Sequence, residues 1–208
     1  MIEGAVLFKV LSIAFLAMIS PGPDFMIVSS IALTRGRIEG IKAAAGVATV
    51  IIFYTLLSLT GLSALFARYF WLAVAIKICG GLYLTYLGFL MWKSSLKKEK
   101  EETVSVKISK RRSAYLTAVL TGLTNPKSIA FFASIFALAL TPETHLATKA
   151  VIAVAVPLMA LLWFSFVAFG LSKEKIRLRY QRMRKTIDRL TGTVLAFFGL
   201  KLVLSARG

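Results

Sequence analysis

Long apolar runs separated by short basic segments set the pattern of this chain. Residues 43–67 carry no charged side chain, and neither do residues 150–172. Each run exceeds the roughly 18 to 20 apolar residues that an α-helix needs to cross a bilayer. Continuing along the chain, the pattern predicts six helices, over about residues 5–34, 40–62, 69–92, 113–140, 147–170 and 190–204. Two of them contain proline breaks, at Ser20-Pro21-Gly22-Pro23-Asp24 and at Thr124-Asn125-Pro126-Lys127. Proline removes a backbone donor and clashes with the preceding helical turn, so the first and fourth helices are expected to open there. Pro157 is expected to kink the fifth. The expectation is an all-α membrane protein with six transmembrane helices, helices 1 and 4 broken at the proline motifs.

Composition excludes a soluble alternative. Of 208 residues 58% are hydrophobic, and the mean hydropathy is +0.78. That leaves too little polar sequence to coat six buried apolar segments. The net charge of +17 does not point to nucleic acid, because it collects between the apolar runs. The connector after helix 1 holds Arg35, Arg37 and Lys42, and those after helices 3 and 5 hold eight Lys and Arg residues each. The even connectors offer Arg68 and Lys149, and the tail Arg207. The excess of positive charge in cytoplasmic loops therefore places the odd connectors in the cytoplasm and both termini outside. Glu3, Lys9 and the Pro-Gly-Pro turn do not suit a cleaved signal peptide, so helix 1 is expected to be retained. Cys79 stands alone and makes no disulfide framework or redox pair; helix packing is its expected role.

Ile176, Tyr180, Met183 and Ile187 form a helical stripe among basic residues. Two arrangements fit it: a helix lying on the inner leaflet, drawn to anionic lipid, or a sixth helix that projects into the cytoplasm. The basic loops would attract anionic lipid in either case.

An internal repeat is visible. Gly81, Leu84 and Gly88 match Gly192, Leu195 and Gly199 at a constant offset of 111, and Gly22-Pro23 matches Asn125-Pro126 at 103. Three helices per copy make the copies inverted in the membrane, as in many secondary transporters. The chain then reads as one transporter domain over residues 1–208, with halves 1–95 and 113–208 around a basic cytoplasmic linker at 93–112. The four glycines lie seven apart in pairs, so each pair shares a face for close helix packing. They could also serve a homo-oligomer, for which the chain offers no other legible surface.

Paired breaks in corresponding positions of two halves point to a transporter's binding site. Asp24 could cap the second half of helix 1. As an intramembrane carboxylate it could also take up a proton or bind a substrate ammonium. Lys127, at the matching place in helix 4, could snorkel or, with the positive end of a half-helix, hold a carboxylate. An amino-acid zwitterion would use both charges; equally, Asp24 and Lys127 could pair with each other when the site is empty. Asn125, Ser20, Thr121 and Thr124 offer uncharged hydrogen-bonding groups nearby. Lys77, Asp188 and Lys201 read as interface residues at helix ends, and His145 as a solvated turn residue. Tyr83, Tyr86 and Trp163 read as packing against lipid.

The S-P-G-P-D break, the R-G-R-x-x-G connector through Gly36 and Gly40, and the N-P-K break together resemble the LysE/RhtB family of amino-acid exporters. The resemblance covers nearly the whole chain. It implies export of amino acids or close derivatives across a prokaryotic cell membrane, driven by protons, with no cofactor and no enzymatic reaction. It also implies that Pro21, Gly22, Pro23, Asp24, Asn125, Pro126 and Lys127 are the motif residues. The chain departs from the family at Val50, where a second glycine often follows Gly46, and at Ala137-Leu138, where a Pro-Gln pair is common. Other classes fit less well. A metal exporter needs clustered carboxylates, histidines or thiols, a membrane aspartyl enzyme would have to pair Asp24 with Asp188 beside Arg189, and thiol carriers need two cysteines. A lipid-binding scaffold that transports nothing would be indifferent to Asp24→Asn.

Overall fold

The structure is a computed structural model of the chain, and it describes residues 2–19, 22–62, 70–96, 112–125, 127–129, 131–132, 144–170 and 174–206. The described residues are helical, with turns between, and contain no strand. Helix α1 spans Gly4–Ile19 and α2 spans Pro23–Arg35, with a bend of 51° between the two. Pro23 opens α2 where its missing N–H costs nothing. Asp24 in the first turn and Arg35 in the last both suit the helix dipole.

Gly36 alone separates α2 from α3 (Arg37–Leu57), at φ 92° and ψ 170°. Only glycine adopts that backbone without strain. Gly36→Ala is expected to cost about 1–3 kcal/mol, measurable as a lower unfolding temperature in detergent. Helix α3 widens into a single π turn at Ser58–Leu62. Then come α4 (Phe70–Leu96), α5 (Ala114–Leu123), helical residues 127–129 and 131–132, α6 (Leu146–Gly170, with Pro157 inside) and α7 (Glu174–Leu204).

Among the described residues, Arg37–Thr60, Val74–Leu96 and Leu146–Gly170 are each long and apolar enough to cross a membrane. The bent pair α1–α2 makes a fourth if it is one span. Rings such as Phe8, Phe166 and Phe197 stand exposed around the molecule. Lipid tails accept such rings at no cost, whereas water would not. The chain is a multi-pass membrane protein.

Helix α3 is the hub of the bundle, packed against α2, α5 and α6. Val10, Ile13, Ile27, Val47, Ile152 and Val156 fill the interior. Helices α4 and α7 form a second tight pair. A methyl group at Gly81 would stand 2.6 Å from the carbonyl oxygen of Gly199, and one at Gly192 would stand 2.7 Å from that of Gly88. Leu84 and Leu195 are buried between the two glycine contacts. Each glycine thus meets the counterpart of the other glycine on its own helix, the self-complementary pattern a two-fold axis produces.

The structure revises several boundaries and placements. Helix α4 continues to Leu96, so the polar segment expected from Lys93 begins later; residues 97–111 lie outside the described residues. Helix α3 starts at Arg37 rather than 40, because Arg37 and Glu39 form its first turn and Lys42 pairs with Glu39 at 2.6 Å. The sixth helix is one uninterrupted helix from Glu174, which favours the projecting arrangement over a separate helix on the leaflet. Its stripe is split: Tyr180 packs on Phe25 while Met183 is half exposed. Cys79 faces outward instead of packing between helices. Asp188 is buried rather than placed at an interface. Ser20, Pro21, Arg68, Pro126, Ala137 and Leu138 lie outside the described residues.

Candidate functional site

Two helix starts converge on one cavity. Asp24 stands in the first turn of α2 but does not cap it; the N-cap position is Gly22, and no side chain caps there. The carboxylate crosses instead to the other helix start. Its Oδ2 accepts from Asn125 Nδ2 at 2.9 Å and from Ser128 Oγ at 2.8 Å. Its Oδ1 is buried and has no hydrogen-bond partner.

Asn125 has two tasks. Its Oδ1 accepts the Lys127 backbone N–H at 3.0 Å, and its backbone carbonyl accepts from Ile129 N at 3.1 Å, the pattern of an N-cap. Its Nδ2 holds Asp24 and also lies 2.9 Å from Ser128 Oγ. One buried amide therefore starts a helix and ties it to α2.

Lys127 reaches back toward the first break. Its Nζ donates to the carbonyl of Ala17 at 3.2 Å, near the end of α1. Its stem runs over Gly22, where an added methyl would come within 3.2 Å of Nζ and 3.3 Å of Cδ. A side chain at position 22 would displace the lysine. Trp163 Nε1 donates to the carbonyl of Met18 at 3.1 Å. The last carbonyls of α1, which an α-helix leaves without internal partners, thus receive a lysine and an indole.

The cavity between these elements has a volume of about 430 Å³, its open side included. Asp24, Asn125, Lys127 and Ser128 form its polar wall. Ala17, Met18, Phe25, Ile51, Phe132 and Phe164 are among its apolar lining. Phe132 stacks on Tyr54 at 5.8 Å, and the Tyr54 hydroxyl donates to the Leu123 carbonyl at 2.8 Å, just before the second break. The site holds a negative group, a positive group and two neutral donors against an apolar face. Among the described residues no group of three or more His, Cys, Asp or Glu could hold a metal ion.

Residues 15–206 match the model of the LysE type translocator family. The chain belongs to that family. It is 34% identical to a threonine efflux protein of Salmonella typhi over 95% of this chain and 97% of the relative. It is equally identical to a threonine efflux protein of Escherichia coli K12, over 91% and 93%. An uncharacterized membrane protein of Haemophilus influenzae is 30% identical over 89% and 90%. No solved structure matches the chain. LysE type translocators are transporters and not enzymes, and so is this chain.

Of the residues singled out in the sequence, Asp24, Asn125, Lys127 and Gly22 come together at the cavity. Pro23 opens α2 beside it. Thr121 and Thr124 bond to carbonyls one turn back in their own helix. Trp163 binds the α1 terminus and stacks edge-on with Phe15 at 5.6 Å. His145 is exposed, and its Nδ1 accepts the Ala147 N–H at 3.2 Å at the start of α6. Ser128 was missed. The signal was its place three residues after the capping asparagine, where a polar side chain returns to the cap.

Proposed function

We propose that this chain exports amino acids, or close derivatives, from the cytoplasm by proton antiport. The observation that carries the reading is the pair of opposite charges in one cavity. Asp24 offers an unpartnered buried oxygen, and Lys127 offers an ammonium at the second helix start. A zwitterion fits that polarity: its ammonium against Asp24 Oδ1 and its carboxylate against Lys127 Nζ. Ile51, Phe25 and Phe164 would then meet the substrate side chain. The efflux proteins that share 34% of its residues carry threonine in their names, and L-threonine is the first substrate to test.

Antiport follows from competition at Asp24. A proton on its carboxylate removes the charge that holds the ammonium, so proton and substrate occupy the site in turn. When neither is bound, Asp24 and Lys127 compensate each other across the cavity. Alternating access would arise by rocking the two halves about the broken helices. The six-span inverted architecture is supported by the glycine exchange between α4 and α7 and by the matched breaks. The basic connectors support a cell-membrane location with the odd connectors, and their anionic lipid contacts, on the cytoplasmic side.

The test is efflux from cells lacking their own exporters. Cells are loaded with mixed dipeptides, and the medium is assayed with and without the protein. Accumulation of one amino acid, lost with Asp24→Asn at equal expression, supports the reading. An unchanged medium for every amino acid overturns the substrate class, and metal cations and other metabolites are then assayed.

A further inference from the structure

Helix α7 carries a second buried carboxylate that the zwitterion site does not use. Asp188 is 3% exposed and sits far from the start of its helix, so it caps nothing. Its Oδ2 faces Ser94 Oγ of α4 at 3.5 Å, the outer limit of a hydrogen bond. Arg184 Nε lies 3.9 Å away on the same helix. That arginine is about one-third exposed, and an arginine placed N-terminal to its acid at this spacing is the weaker order. Asp188 Oδ1 is buried and has no hydrogen-bond partner. A carboxylate kept only for structure would be expected to have both oxygens satisfied, because an underpaired buried charge is costly.

The surroundings of Asp188 lead to the cavity. Lys127 lies in the electrostatic field of Asp188 as well as of Asp24. Tyr180, two turns earlier on α7, also interacts electrostatically with Asp188. Its hydroxyl is buried and has no partner. Its ring stacks on Phe25 at 4.9 Å, and Phe25 lines the cavity. The charged and titratable groups acting on Asp188 are thus Arg184 and Tyr180 from α7 and Lys127 from the second break; α4 contributes the neutral Ser94. On the other side of Asp188, α7 leads back to the exposed basic residues Lys185 and Arg182.

We infer that Asp188 is a proton-binding residue of the transport cycle, the station through which a proton leaves the cavity toward the basic, cytoplasmic end of α7. The inference rests on the antiport reading above. A proton released from the cavity is taken up by Asp188 Oδ1 and then passed to water at the α7 surface; no bond other than O–H forms or breaks. Tyr180 and Lys127 are the titratable groups that act on Asp188 from the cavity side. Asp188→Asn preserves size and the contact with Ser94 but cannot carry the proton.

The experiment uses the whole protein in liposomes with L-threonine as the probe. Two modes are compared: exchange of internal for external threonine, which needs no net proton movement, and transport driven by an imposed pH gradient. Asp188→Asn is expected to keep exchange within about twofold while gradient-driven transport falls about a hundredfold or more. Asp188→Glu should restore much of the driven rate. Equal loss in both modes, or no loss in either, would overturn the inference.

Infrared titration of the purified protein decides the point without any substrate. The wild-type spectrum should contain a carboxylic-acid carbonyl band that titrates and is missing from Asp188→Asn. Identical titrations would overturn the inference. If the wild type moves no threonine yet the band differs, the substrate reading fails and Asp188 stands as a proton site.

Discussion

Under the proposed antiport, Asp24→Asn is expected to abolish proton-coupled export while leaving the fold intact. The reason lies in the two oxygens of the carboxylate. Oδ2 accepts from Asn125 and Ser128, and Oδ1 is buried with no donor. An asparagine can turn its carbonyl oxygen to Asn125 and Ser128 and keep both bonds. Its NH₂ group then occupies the place of Oδ1. The stability change should stay within about 1 kcal/mol, since the hydrogen bonds survive. In the proposed site, however, the variant would present a donor to the substrate ammonium and would lack the group that exchanges it for a proton. Loss of a charge-assisted bond of about 1.5–3 kcal/mol lowers affinity roughly 10- to 150-fold. Net export falls further, because no proton can be carried at this position. Matched unfolding temperatures and a lost efflux rate, measured on the same preparations, check both halves of the expectation.

Lys127→Met separates the two charges of the substrate. Methionine can follow the lysine stem over Gly22 without a new contact, since it is shorter and unbranched. The Ala17 carbonyl loses one donor, a cost of about 1 kcal/mol. The larger effect is on binding. Removing the ammonium should weaken an amino acid roughly 10- to 150-fold and should leave an amine without a carboxylate nearly unaffected. Transport of an amino acid is therefore expected to fall through affinity, whereas Asp24→Asn is expected to remove the proposed proton coupling as well. Concentration dependence of uptake into liposomes distinguishes the two variants.

Much of this site was legible because its chemistry is carried by rare residues in apolar runs. Proline, aspartate and lysine within a membrane helix are costly, so the two breaks stand out without a structure. The pairs Gly81–Gly88 and Gly192–Gly199 were legible for a similar reason, since a seven-residue spacing marks one helix face. The crossing of those pairs was not, because it depends on how two antiparallel helices align. The apolar wall was also hidden: Phe132 and Phe164 look the same in a hydropathy pattern whether they face lipid or a cavity.

Helix α7 was left between two arrangements by its sequence. Its first half is basic and its second half apolar, and that change suggested a boundary near residue 190. Arg, Lys, Gln, Met and Leu are all strong helix formers, and their density over residues 174–189 was the signal for one continuous helix. A boundary near 190 puts Asp188 at a helix end, whereas the projecting helix was the other arrangement left open. The continuous helix instead carries Asp188 to the flank of α4 and Tyr180 to Phe25.

One cavity is proposed to read both charges of an amino acid. Equilibrium binding of L-threonine and of threoninol, its amino alcohol without a carboxylate, to the wild type and to Lys127→Met tests it most directly. The wild type is expected to favour threonine by about tenfold or more, the worth of one charged hydrogen bond. That preference is expected to collapse in Lys127→Met, because the two changes remove the same interaction. An unchanged preference in the variant would contradict the proposal, since the carboxylate would then be held somewhere other than Lys127.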